Sequence, residues 1–317
     1  MRPPWPVNAH VRSGLRGVEP AGCLHTLGRG KLTPVSTHDQ KKPEHDAYTP
    51  SEIAHKVESM GVAKAHLDTL SLLVLAVLAG AFISLGGLFS MVVVTGTELG
   101  YGLTRLLGGL AFCLGLILVV VGGAELFTGN NLLAMAWASR LITTRDVVRN
   151  WVIAYLGNVI GCLGTVALVV WAGLGQGAVG ETALGIAEAK AGLPLGVAFV
   201  RGILCNALVC LAVWLAMGGR SVTDRVLAIL FPITAFVAIG LEHSIANWFF
   251  LPLGLALDDA GRVGLAGAGR NLAAVTAGNI VGGTLLVAGI YWTAYLRRSG
   301  GPSVADSDIG DSSNSGP

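Results

Sequence analysis

Six long apolar runs separated by short polar stretches set the plan of the chain, at about 70–94, 106–138, 151–174, 193–217, 227–257 and 272–295. An α-helix needs about 20 apolar residues to cross a bilayer. The pattern therefore predicts an all-α polytopic membrane protein with six transmembrane helices. Two runs, 106–138 and 227–257, are too long for one straight crossing, and each carries polar residues in its middle. One interruption runs from Gly122 to Asn131. The other is Gly240-Leu241-Glu242-His243-Ser244-Ile245-Ala246-Asn247. The second and fifth helices are expected to be broken at these places.

Residues 1–47 are polar and Pro-rich and read as a disordered N-terminal extension. Thr49-Pro50-Ser51-Glu52 starts a helix, with Thr49 or Ser51 as the cap. Ile53, Val57, Met60 and Val62 oppose Glu52, Lys56, Glu58 and Lys64, so residues 49–66 form an amphipathic helix along the membrane surface. The transmembrane domain covers 48–298, and residues 299–317 are a disordered tail.

The pattern is also duplicated. Arg149-Asn150 precedes Gly157-Asn158-Val159-Ile160-Gly161, and Arg270-Asn271 precedes Gly278-Asn279-Ile280-Val281-Gly282 at the same spacing. Upstream, Glu125 and Asn130 match Glu242 and Asn247. Residues of about 67–174 therefore repeat as 193–297. A unit with three crossings is odd, so the two copies are inverted, the plan of many transporters. Breaks at matching places in two repeats point to the permeation site.

Composition sharpens this reading. The chain is 53% hydrophobic and 13% charged, against about 25% charged in a soluble domain. A net charge of +2 gives no nucleic-acid signature. The 45 glycines suit close helix packing. Lys and Arg concentrate in the loops that share a side with the N-terminus, which places both termini in the cytoplasm of a cell (inner) membrane protein. The five cysteines form no CxxC pair and read as packing residues. No metal site or cofactor is expected.

Of seven histidines only His243 lies within the apolar runs. An imidazole at that depth either braces the fold or faces a permeating species. Broken helices present helix N-termini there, which suits an anion. A protonated His243 offsets an anion's charge, or hands over a proton so that a neutral acid crosses. Thr128 either orients the ring or caps the following helix. Glu125, Glu242, Asn130 and Asn247 are expected to support the breaks.

Several stretches resemble the formate/nitrite transporter family across about 48–298: Gly123 to Asn130, Asn206 to Trp214, Gly240 to Asn247, and Asn271 to Gly283. The resemblance implies an aquaporin-like fold and a homopentamer in the lipid bilayer with a pore in each protomer. It implies small monovalent anions and protons as substrates: formate first, with nitrite or hydrosulfide as alternatives. By the same resemblance His243 is the central pore histidine, Thr128 its hydrogen-bonding loop residue and Asn206 the pore asparagine beside it. Leu126 and Phe127 then fall on one constriction. Phe112, Leu116, Val209 and Phe236 fall on the apolar slits, and Lys190 in the outer vestibule. Passive channel and proton symporter both remain open. An enzyme is not expected: with one membrane histidine and no HExxH or serine motif, a catalytic set is lacking.

Overall fold

The structure, a computed structural model, describes residues 47–297. The expected extension over 1–47 (apart from Ala47) and the tail 299–317 lie outside the described residues. Helix α1 (Pro50–Ala65) starts in a capping box: Thr49 Oγ1 accepts from the Glu52 N–H, and Glu52 reaches back to the Thr49 N–H. The chain continues through α2 (Thr69–Val94), α3 (Gly100–Gly122), a 3₁₀ turn (Gly129–Leu132), α4 (Leu133–Ala138) and α5 (Thr144–Trp171). Then come α6 (Gly177–Ala191), α7 (Leu195–Gly218), α8 (Val222–Ile239), α9 (Ser244–Leu257), α10 (Leu265–Val281) and α11 (Ile290–Tyr295). A π-helical segment, Gly282–Gly289, joins α10 to α11, so residues 265–295 run as one span.

Among the described residues six spans are long and apolar enough to cross a membrane: α2, α3, α5, α7, α8 and the 265–295 span. Two features depart from the hydropathy pattern. The connection between the third and fourth runs folds into α6, whose Gly- and Ala-rich sequence gives no apolar run to read. The π-helical segment leaves no periodicity signal, because its extra residue per turn sits inside an unbroken apolar stretch.

The packing pairs correspond across the two halves. Helix α2 packs on α3 and α5, and α7 packs on α8 and α10. Helix α1 packs on α4, and α6 packs on α9. Helices α3 and α8 join the halves. Glycines set the closest approaches. A Cβ at Gly161 would collide with the Val77 carbonyl on α2, and one at Gly282 with the Ile203 carbonyl on α7. Both glycines end the repeated Gly-Asn-x-x-Gly motif, so the motif encodes backbone-to-backbone contact. Polarity runs from inside to outside in the order lipid requires. Asn158, Asn206, Asn279 and His243 are buried, while Leu156, Ile160, Leu168, Leu204 and Phe231 are exposed.

Candidate functional site

Both long apolar runs are interrupted, and each leading helix ends on a glycine with left-handed backbone: Gly123 after α3 (φ 79°) and Gly240 after α8 (φ 87°). Non-helical backbone follows in each case and must be satisfied inside the protein. Asn158 Nδ2 donates to the Ala76 and Glu125 carbonyls, and its Oδ1 accepts from the Phe127 N–H at 2.9 Å. In the other half Asn279 Nδ2 donates to the Gly202 and Glu242 carbonyls, and its Oδ1 accepts from the Ser244 N–H at 2.8 Å. One buried amide thus stitches each loop to its neighbouring helix.

A second duplicated frame braces each break. Lys64 Nζ lies 2.7 Å from Glu125 Oε1, and Asn130 Nδ2 donates to Glu125 Oε2 at 2.8 Å. Lys190 Nζ lies 2.9 Å from Glu242 Oε1, and Asn247 Nδ2 donates to Glu242 Oε2 at 2.7 Å. Asn150 and Asn271 close the two networks, each accepting from the neighbouring asparagine and donating to the lysine's backbone carbonyl. The correspondence extends to α1 and α6, which supply the two lysines.

Within these frames Leu126 and His243 occupy equivalent positions, each directly after the glutamate. His243 is the N-cap of α9, and its Nδ1 accepts from the Ala246 N–H at 3.0 Å. A ring nitrogen that accepts carries no proton, so the neutral imidazole bears its hydrogen on Nε2. That Nε2 lies 3.0 Å from Thr128 Oγ1. Thr128 makes no side-chain cap to the 3₁₀ turn that follows it. The two breaks therefore meet through one hydrogen bond between fully buried side chains. The Phe236 ring stacks over the imidazole, with centroids 6.0 Å apart, and meets Phe112 edge-on at 5.5 Å.

Two cavities lie near this junction. One, of about 290 Å³, has Phe112, Phe236 and His243 among its lining residues, together with Lys190 and Glu242. The other, of about 180 Å³, is lined by Leu116, Leu126, Val213, Lys64 and Glu125 among others. Val209 is buried in the same apolar cluster as Phe112, Leu116, Leu126 and Phe236. Phe127 lines neither; its ring packs edge-on against Tyr155 and Trp151 at 5.0 and 6.3 Å.

Asn206 is near the junction but has no hydrogen bond to the imidazole. Its Nδ2 donates to the Asn279 carbonyl (2.7 Å), Asn131 Oδ1 (3.2 Å) and the Thr128 carbonyl (3.3 Å). It supports the loop that carries Thr128, and its Oδ1 is left without a partner. Gly283 makes room for this amide: a Cβ there would come within 2.5 Å of Asn206 Nδ2. Lys190 is bound to Glu242 and not to the glutamates of its own helix. Those two, Glu181 and Glu188, pair with Arg262 at 3.1 and 2.9 Å. These contacts raise the Arg262 guanidinium above its usual range. The pairing of Lys64 with Glu125 leaves no mark in the sequence, whereas Asn150, Asn158, Asn271 and Asn279 stand out there by their equal spacing.

A bundle of membrane-spanning helices with one cavity lined by His243 and another lined by Leu126 fits a multi-pass membrane transport protein. The formate/nitrite transporter family model matches residues 51–293. The chain belongs to this family of channels and transporters. It is 39% identical over 275 residues to the formate channel FocA of Escherichia coli (strain K12), covering 80% of this chain and 96% of that protein. It is 39% identical over 254 residues to the uncharacterized transporter YrhG of Bacillus subtilis (strain 168), covering 78% and 94%. Among solved structures it resembles a pentameric formate channel with formate bound, with TM-score 0.68 and 38% identity over 72% of this chain and 98% of that one. It also resembles an FNT family ion channel, with TM-score 0.72 and 30% identity over 77% and 99%.

Proposed function

We propose that the chain forms a homopentamer in the cell membrane, both termini cytoplasmic, in which each protomer conducts small monovalent anions, formate first. The observation that carries this reading is the Thr128–His243 hydrogen bond of 3.0 Å between the two helix breaks. It supports an ionisable ring at the meeting point of the two helix breaks, with one cavity lined by His243 and another by Leu126. The formate-channel relatives support the substrate. The excess of Lys and Arg on the side of α1 supports the orientation, which makes the His243 cavity the outer one.

An anion in the outer cavity faces an apolar slit of Phe112, Phe236 and Leu116, where a bare charge is strongly disfavoured. His243 lowers that barrier by carrying positive charge or by supplying a proton. The neutral ring already donates through Nε2 to Thr128, so an added proton goes to Nδ1. The Ala246 N–H then loses its acceptor and becomes a free donor at the α9 N-terminus. Charging the ring in this way adds two attractions for an anion at one place. Asn206 and Asn279 hold the two loops in register while this happens.

The test is His243→Asn in proteoliposomes, with uptake of formate, nitrite and hydrosulfide followed against external pH. Asparagine is a good N-cap, so α9 and the pentamer should persist. It carries no charge near neutral pH, so uptake that strengthens on acidification should lose that dependence. Wild-type rate and pH profile in the variant would show that His243 only braces the fold.

A further inference from the structure

The two cavities differ in charge although the frames around them are duplicated. The cavity beside Leu126 holds one cation and one carboxylate, Lys64 and Glu125, and these are paired with each other. The cavity beside His243 also holds its frame pair, Lys190 and Glu242, and adds two arginines, Arg105 and Arg201. Among the described residues neither arginine has an ion pair with a carboxylate. Arg105 donates through Nε to the Ala238 carbonyl at 3.0 Å and through its terminal nitrogen to the Val237 carbonyl at 2.8 Å. Those acceptors are neutral, so the full charge remains. The Arg201 side chain has no hydrogen bond or ion pair among the described residues. Its backbone carbonyl accepts from the Glu242 N–H, which ties it to the loop that carries His243.

Arg201 is exposed and Arg105 half-buried, and two guanidinium groups without a carboxylate partner lining one concave pocket raise the local anion concentration. The arginines also differ from the frame lysine in what they can do. Lys190 is paired with Glu242, whereas Arg201 has a planar fork, unpaired among the described residues, that fits a carboxylate. Arg105 is fixed against the end of α8 and supplies field rather than a free fork.

We propose that Arg105 and Arg201 make the cavity above His243 an anion-loading site, with Arg201 the direct ligand and Arg105 the fixed charge, and that the opposite cavity has no counterpart. The inference rests on the anion-pore reading. It adds a sidedness: the pore half-saturates at lower anion concentration from the His243 face than from the Lys64 face.

The experiment uses the full-length protein in liposomes of known orientation, with zero-trans formate flux measured from each face. Removing one nearby charge should weaken anion attraction roughly 3- to 10-fold at low salt. Arg201→Gln should therefore raise the half-saturating formate concentration from the His243 face by about that factor. The change in maximal rate should be smaller, and the other face should be nearly unaffected. Arg201→Lys should recover most of the loss, and about 0.5 M salt should erase most of the difference. A second readout does not need transport. Phenylglyoxal modification of Arg201, followed by peptide mass spectrometry, should be slowed by millimolar formate but not by gluconate at equal ionic strength. An equal shift on both faces, or no shift together with no protection, overturns the proposal. Protection without any formate flux would instead retain the loading site and overturn the transport reading.

Discussion

Replacing Asn279 by alanine tests the claim that one amide holds the His243 loop. The side chain makes three hydrogen bonds: to the Gly202 carbonyl at 2.8 Å, to the Glu242 carbonyl at 3.0 Å and from the Ser244 N–H at 2.8 Å. Gly202 lies inside α7, so its carbonyl keeps a helical partner after the substitution. The Glu242 carbonyl and the Ser244 N–H lie at the break, where no regular ladder replaces the lost bond. Leaving one buried polar group unpaired costs about 1–3 kcal/mol, so two cost about 2–6 kcal/mol. Against a total stability of about 5–15 kcal/mol that is a large fraction. The apparent melting midpoint of the purified protein in detergent should fall on the order of 10 °C. Asn158→Ala makes the equivalent loss at Phe127 and Glu125 and should fall by a similar amount. Functionally the two should differ: Asn279→Ala loosens His243, whereas Asn158→Ala loosens the loop that carries Thr128. Midpoints within about 2 °C of wild type for both variants, corresponding to less than about 1 kcal/mol, would refute the stitching argument.

Three further outcomes follow from the same geometry. Gly161→Leu and Gly282→Leu should each prevent assembly, since the side chain meets a neighbouring backbone carbonyl, whereas Gly164→Leu, with open space around it, should not; the yield of folded protein checks this. Lys190→Met should destabilise by about 1–3 kcal/mol, after allowance for the partly exposed ammonium, because Glu242 is left charged and buried, and adding Glu242→Gln should recover part of it; a double-mutant cycle on the melting midpoint reads the coupling. Asp146 and Asp224 close capping boxes in the first turns of α5 and α8, where they accept from Thr143 and from the Ser221 and Arg220 N–H groups. Thr143→Ala and Ser221→Ala should each destabilise by about 0.5–2 kcal/mol, read as a lower melting midpoint.

Much of this arrangement was legible in the chain because it depends on local rules. The spans follow from apolar length. The breaks follow from Gly122-Gly123 and Gly240 next to polar residues in otherwise continuous apolar runs. The repeated asparagines were visible as spacing. What could not be read was which partners those residues choose across long separations. Nothing in the sequence pairs Lys64 with Glu125, 61 positions away, or Lys190 with Glu242, 52 positions away. Helix α6 was invisible because its buried face is made of Gly180, Ala183, Leu184 and Ala187, which is too weak an apolar stripe to stand out. The motif places Phe127 on a constriction, and its packing partners are a separate matter that the motif does not reveal. The backbone at that residue is pinned by Asn158, and the pinning turns the side chain toward Trp151 and Tyr155.

The duplication also explains why the site needs both halves. The frames are equivalent down to the amide that stitches each loop, yet the residue after the glutamate is Leu126 in one and His243 in the other. An apolar side chain at the first position and an imidazole at the second make two nearly equivalent loops chemically unlike. Two positions further on Thr128 and Ile245 are equivalent, and of these two only Thr128 offers a hydroxyl. The imidazole of one half therefore finds its Nε2 partner in the other half, across 115 positions of sequence. A buried donor needs such a partner, and the fold can supply it only when both loops are held in register. That requirement gives the duplicated Lys-Glu-Asn-Asn networks a reason to exist on both sides, although only one side carries the histidine.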